Sequence, residues 1–153
     1  MGIFQRVLLI IQYNAGNIVL QQSDGILDGI GGLAGYLNSA VSNSYSSGTI
    51  SASGSVNYNI GGLIGLVDTH GQVTQAYTTN SSSINSFSFE NNIGGLVGEN
   101  LGSIQQSYSA SSISLQNQSN NVGGLVGYNS GNGVVANSYS VSPISVRSNL
   151  VKH

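Results

Sequence analysis

The 153-residue chain has no cysteine, no tryptophan and one proline, and only 5% of its residues are charged. Without cysteine there is no disulfide framework and no thiolate metal site, which leaves the redox compartment open. Arg6, Arg147 and Lys152 are the three basic residues. They are too few to form an electrostatic footprint on phosphate, so nucleic acid is disfavoured as a partner. No apolar stretch approaches the roughly 20 residues of a membrane-spanning helix, and Val7 to Ile11 is only five residues long. That run follows Arg6 but is too short, and lacks an A-x-A site, to make a clear signal peptide.

Polar chemistry is equally sparse. The acidic residues are Asp24, Asp28, Asp68, Glu90 and Glu99, and the histidines are His70 and His153. A two-carboxylate hydrolase needs its pair about 5 to 9 Å apart. Asp24 and Asp28 sit instead in a turn-like stretch with no basic partner nearby. Asp68-Thr69-His70 occupies one inter-strand loop, but there is no G-x-S-x-G elbow. With no H-E-x-x-H motif and no ligand cluster, no catalytic site, metal site or cofactor is expected. Gly131 to Ala136 formally matches G-x-G-x-x-A. Its counterparts elsewhere in the chain are ordinary turns and no helix follows, so it is not read as a nucleotide site.

What is abundant is glycine (22), serine (27) and asparagine (18). Leu, Ile, Val and Phe still number 44, enough for a core. The pattern is repetitive. Ile30-Gly31-Gly32-Leu33-Ala34-Gly35 recurs from Ile60, Ile93 and Val122, with Gly61, Gly62, Gly94, Gly95, Gly123 and Gly124 in the paired-glycine places. Each copy is followed by a tyrosine element centred on Tyr45, Tyr77, Tyr108 and Tyr139, spaced 32, 31 and 31 residues apart. A β-branched residue precedes each tyrosine by four: Val41, Val73, Ile104 and Val135. A third segment follows at Ile50, Ile84, Ile113 and Ile144, with extra residues before it in the second repeat.

A period near 31 with three short apolar segments, each bounded by Gly, Asn or Ser, predicts a solenoid. Segments of four to six β-branched residues read as strands. The expected fold is therefore all-β: a parallel β-solenoid of four to five coils, with three strands per coil. An antiparallel sandwich is the competing arrangement. Residues 1–29 read as a degenerate first coil or N-terminal cap, with Tyr13-Asn14 aligned to Glu99-Asn100 and Tyr128-Asn129. The repeats are 30–59, 60–92, 93–121 and 122–146, and 147–153 reads as a polar tail.

The paired glycines are expected to serve the backbone, through positive φ or close approach. Residues on both sides of that strand are apolar. Either a bulge turns both sets inward, or one face packs on something else. The four tyrosines are expected to stack as a ladder. Asn43, Gln75, Gln106 and Asn137 are candidates for an amide ladder. The serines and threonines flanking the tyrosines, among them Ser42, Ser44, Ser46, Thr74, Thr78, Ser107, Ser109, Ser138 and Ser140, would form a hydroxyl face of the kind an ice-binding solenoid presents.

The repeat resembles the GLUG motif, whose Gly-Leu-x-Gly core stands at Gly32 to Gly35, Gly62 to Gly65, Gly95 to Gly98 and Gly124 to Gly127. Such repeats are found in filamentous-haemagglutinin-like adhesins and in the non-catalytic regions of IgA-cleaving metalloendopeptidases. The resemblance implies an extracellular or cell-surface stalk or adhesive module, and it brings no catalytic residues with it. The expected function is a non-enzymatic structural or adhesive element. Coil ends would stack head to tail into filaments, and a host or surface glycan or protein is a candidate partner. The alternative is carbohydrate binding along Tyr45, Tyr77, Tyr108 and Tyr139, with ice binding behind it.

Overall fold

The computed structural model describes residues 13–22, 29–54, 59–87, 92–116 and 121–147. Val7 to Ile11, Asp24, Asp28, Glu90, His153 and residues 148–153 of the expected tail lie outside them. The described residues form a parallel β-solenoid built of five sheets and contain no helix.

Sheet one stacks Ile30–Gly31, Asn59–Gly61, Asn92–Gly94 and Asn121–Gly123. Sheet two stacks Ala34–Leu37, Ile64–Val67, Val97–Asn100 and Val126–Asn129. Sheet three stacks Ala40–Ser42, Gln72–Thr74, Ser103–Gln105 and Val134–Ala136. Sheet four is the tyrosine sheet: Tyr13–Asn14, Tyr45–Ser46, Tyr77–Thr78, Tyr108–Ser109 and Tyr139–Ser140. Sheet five stacks Ile18–Gln22, Thr49–Gly54, Ser83–Ser86, Ser112–Leu115 and Ile144–Val146. Residues 30–54, 59–87, 92–116 and 121–147 are termed coils 1 to 4. Starting at Ile30, the chain returns to sheet one at Ile60, Ile93 and Val122, which closes three turns. A partial turn precedes them, and coil 4 runs on as an open turn.

Two corrections concern strand count and N-terminal alignment. Five strands per coil replace the expected three, because two of the three segments are broken. The Gly-Gly-Leu segment bends at its second glycine and leucine, separating sheets one and two. The tyrosine segment breaks at Asn43, Gln75, Gln106 and Asn137, whose φ values of 50, 51, 49 and 50° lie in the left-handed region. At the N-terminal end the register places Tyr13 opposite Tyr45 and Ile18 opposite Ile50. It does not place Tyr13 opposite the row of Glu99 and Tyr128. The signal was present as Tyr-x4-Ile, which stands at Tyr13, Tyr45, Tyr108 and Tyr139.

The bend decides how two apolar faces coexist. Ile60, Leu63 and Ile64 are all fully buried, so both sets turn inward. Ile60 enters one lobe, and Leu63 and Ile64 enter the other. One core joins sheets two and three through Leu37, Val41, Val67, Val73, Val97 and Ile104. The other joins sheets one and five through Ile30, Ile50, Ile60, Ile84, Ile93 and Ile113. Between the lobes, the second glycine of each pair faces the side chain beside the tyrosine: Gly32 the Ser46 hydroxyl, Gly62 the Thr78 methyl, Gly95 the Ser109 hydroxyl and Gly124 the Ser140 hydroxyl. A Cβ on Gly95 would strike the Ser109 hydroxyl and the Gly124 carbonyl of the next coil. Close approach is thus what these glycines provide, while left-handed backbone is carried by the Asn and Gln row.

This waist also relocates the hydroxyls. Ser44, Ser46, Thr78, Ser107 and Ser109 are buried inside the solenoid rather than forming an outer face, which removes them as an ice-contacting surface. Thr78 Oγ1 lies 2.9 Å from Ser109 Oγ, which lies 2.8 Å from Ser142 Oγ, while Ser46 Oγ is buried with no hydrogen-bond partner among the described residues. Ser44 and Ser107 donate to the carbonyls of Ser42 and Gln105 at 2.8 Å, bracketing the left-handed residue between. That residue's own side chain is exposed in all four coils. The amide ladder forms instead at the entrance to sheet one. Asn121 donates to Asn92 at 2.7 Å, and Asn92 donates to Asn59 at 2.9 Å.

Candidate functional site

Two surfaces merit description: the tyrosine row and the corner between sheets two and three. In sheet four the tyrosine points outward and the residue after it points inward. Register then puts Tyr45, Tyr77, Tyr108 and Tyr139 directly over one another. Their ring centroids are 5.0, 4.9 and 5.2 Å apart, with interplanar angles of 3, 6 and 8°. Parallel rings at the strand spacing take up one another's faces. The row therefore offers a ligand ring edges and hydroxyls, whereas a sugar stacks on a ring face. Burial, with Tyr77 and Tyr139 adding to it, pushes the Tyr108 hydroxyl above the ordinary tyrosine value.

At the other corner, loop length alternates. Sheet two passes to sheet three through two residues in coils 1 and 3 (Asn38–Ser39 and Leu101–Gly102) and through four in coils 2 and 4 (68–71 and 130–133). Two ridges thus flank a trough floored by Leu101 and Gly102, giving a groove of about 800 Å³. Tyr36 and Asn38 enter from coil 1, Asp68 to Gln72 from coil 2, and Asn132 and Val134 from coil 4. The Tyr36 hydroxyl donates to Asp68 Oδ2 at 2.6 Å, and the Thr69 backbone N–H donates to Asp68 Oδ1 at 2.7 Å. These donors, the Tyr36 hydroxyl first, hold the Asp68 carboxyl below its ordinary value.

The cluster does not have the layout of a hydrolytic relay. There the carboxylate orients the imidazole and the imidazole activates the hydroxyl. Here Asp68 bonds to Tyr36 and Thr69, and His70 Nδ1 lies against Thr69 Oγ1, at 3.2 Å, rather than against the carboxylate. Reading the sequence repeat by repeat missed Tyr36, Asn38, Gln72 and Asn132 as neighbours of Asp68. The available signal was spacing. From the last glycine of each Gly-Leu-x-Gly to the β-branched residue four before the tyrosine is six residues at Gly35 and Gly98, but eight at Gly65 and Gly127.

The family model described as the GLUG motif matches residues 28–51 and 118–145. The chain carries the GLUG motif. The two GLUG matches fall on coils 1 and 4, and coils 2 and 3 repeat their pattern in register, Ile30 over Ile60 over Ile93 over Val122. The fold gives the motif a physical reading. Its glycines and its Ser-Tyr-Ser element are the two sides of the waist contact. No curated protein and no solved structure matches the chain.

Proposed function

We propose that this GLUG solenoid is a non-enzymatic structural element, outside the cell or at its surface, whose coils extend by stacking one chain on the next. The observation that supports this most is the open last coil. Val135, Ile144 and Val146 are 39, 45 and 57% exposed, yet they continue rows that are fully buried at Ile104, Ile113 and Leu115. The outer edge of every sheet in coil 4 is unpaired among the described residues, and an unpaired parallel edge is a template for another strand. The occupant we assign is a second copy of the chain. Each row grips its like: Tyr on Tyr, Asn on Asn, Gly on Gly. A coil of the same repeat therefore matches the open edge row for row. Such a head-to-tail contact does not close on itself and yields a filament.

Electron microscopy across a concentration series, with sedimentation in parallel, tests this. Fibres with an axial repeat of about 20 Å, four coils at the strand spacing, are expected. Their formation should be suppressed by Ile144→Asp, a charge on the open edge. A monodisperse monomer at high micromolar concentration overturns the proposal.

A further inference from the structure

The groove between sheets two and three brings a tyrosine ring, a carboxylate, an imidazole and three amides to one concave surface. From that combination we infer that it is a lateral binding site for a neutral oligosaccharide lying along the solenoid axis. Its shape favours a chain over a compact ligand. It runs from Tyr36 in coil 1 to Asn132 in coil 4, three strand spacings or about 14 Å, and its volume is within the range of small-molecule sites. It also lies on the side of the rod, so it does not depend on end-to-end stacking.

The chemistry selects hydroxyl groups. Tyr36 is 50% exposed, and its hydroxyl is tied to Asp68, so the ring is held in place before a ligand arrives. Preorganisation of that kind lowers the ordering cost of binding. Its sheet-two neighbour in coil 2 is Leu66, an aliphatic side chain rather than another ring. Asp68 is fixed by three donors, the Tyr36 hydroxyl and the backbone N–H and hydroxyl of Thr69, and keeps acceptor capacity for a further hydroxyl. His70 Nε2 has no protein hydrogen bond among the described residues, and Asn38, Gln72 and Asn132 each supply a donor and an acceptor. Among the described residues the groove contains no Lys or Arg, so phosphate, sulfate and uronate groups would face Asp68 uncompensated by them. A cationic ligand would find, among the described residues, a single carboxylate that already accepts three hydrogen bonds.

The test is a ¹⁵N-NMR titration of the whole chain. The probes are cellotetraose, maltotetraose, xylotetraose and mannotetraose, with tetragalacturonate and trilysine as charged controls. At least one neutral tetrasaccharide is expected to shift the amides of Thr69, His70, Leu101 and Gly102 and to leave that of Tyr77 in place. Tyr36→Ala should weaken binding about tenfold and Asn132→Ala about threefold, the range of a stacking anchor and a peripheral contact. Tyr36→Phe, which keeps the ring and cuts its tie to Asp68, should fall between them. Asn132 lies in an exposed loop, so its variant reports on binding even where Tyr36→Ala disturbs the fold. The inference is overturned by no shift with any neutral probe, by shifts confined to other surfaces, by binding of the charged probes alone, or by full affinity in both Tyr36→Ala and Asn132→Ala.

Discussion

Coils 3 and 4 share one pattern in one register, yet coil 3 has a neighbour on each side and coil 4 on one. Their isoleucines in sheet five, Ile113 and Ile144, are the same residue in the same row at opposite extremes of burial. In a solenoid the core is therefore a property of stacking, since a single coil has no interior of its own. Substitutions made in pairs across the two coils measure that difference directly.

The largest contrast is expected from Ile113→Ala against Ile144→Ala. Ile113 is sealed, so its truncation should cost about 2–5 kcal/mol. Ile144→Ala should cost under about 1 kcal/mol in the monomer. Denaturant unfolding of both variants provides the comparison, and equal costs would mean that coil 4 is covered in solution. Filament formation should raise the cost of the second toward that of the first.

The glycine waist comes next. Gly95→Ala drives a methyl group against the Gly124 carbonyl and two serine hydroxyls, whereas Gly124→Ala meets only the side chains of Ser140 and Ser142. Backbone cannot step aside as a side chain can. Thermal unfolding should show a loss of about 2–3 kcal/mol for the first and about 1 kcal/mol or less for the second. A smaller effect is expected at the left-handed row. Gln106→Gly should stabilise by about 0.5–1 kcal/mol, and Asn137→Gly by less, since asparagine tolerates positive φ better than glutamine. A loss of stability at Gln106→Gly would show that its side chain contributes more than its exposure suggests.

The smallest effect concerns pH. The folded-state value of Tyr108 is raised by burial and by its two ring neighbours, so the stability linked to its proton is intact below the ordinary tyrosine range. It is lost as pH rises through the folded value. Tyr108→Phe, followed by circular dichroism through the alkaline range, should move the onset of unfolding to higher pH. An unchanged onset would assign alkaline unfolding to other groups.

The period, the parallel stacking and the tyrosine ladder were legible because each repeats a distinctive residue at a fixed interval. The five-strand coil was not. One of its two breaks is made by Asn43, Gln75, Gln106 and Asn137, and a glutamine carries no signal for left-handed backbone as a glycine would. The hydroxyls were assigned outward because serine usually faces water. Here Ser46, Thr78 and Ser109 turn inward as the small residues a glycine bend can approach. The groove was hidden for a third reason: its residues come from all four coils and share one surface only after stacking. A repeat alignment removes the very length differences that shape it.

The inter-coil hydrogen bonds have a mechanical consequence. They run along the axis, strand to strand, at right angles to the chain within each coil. A force pulling the two ends of the chain apart along the axis thus loads the outermost bonds a few at a time. It peels coils one at a time and releases about 100 Å of chain per coil of 31 residues. Sideways bending instead strains every sheet on one flank together. Such a molecule yields gradually under tension and holds its line under lateral load.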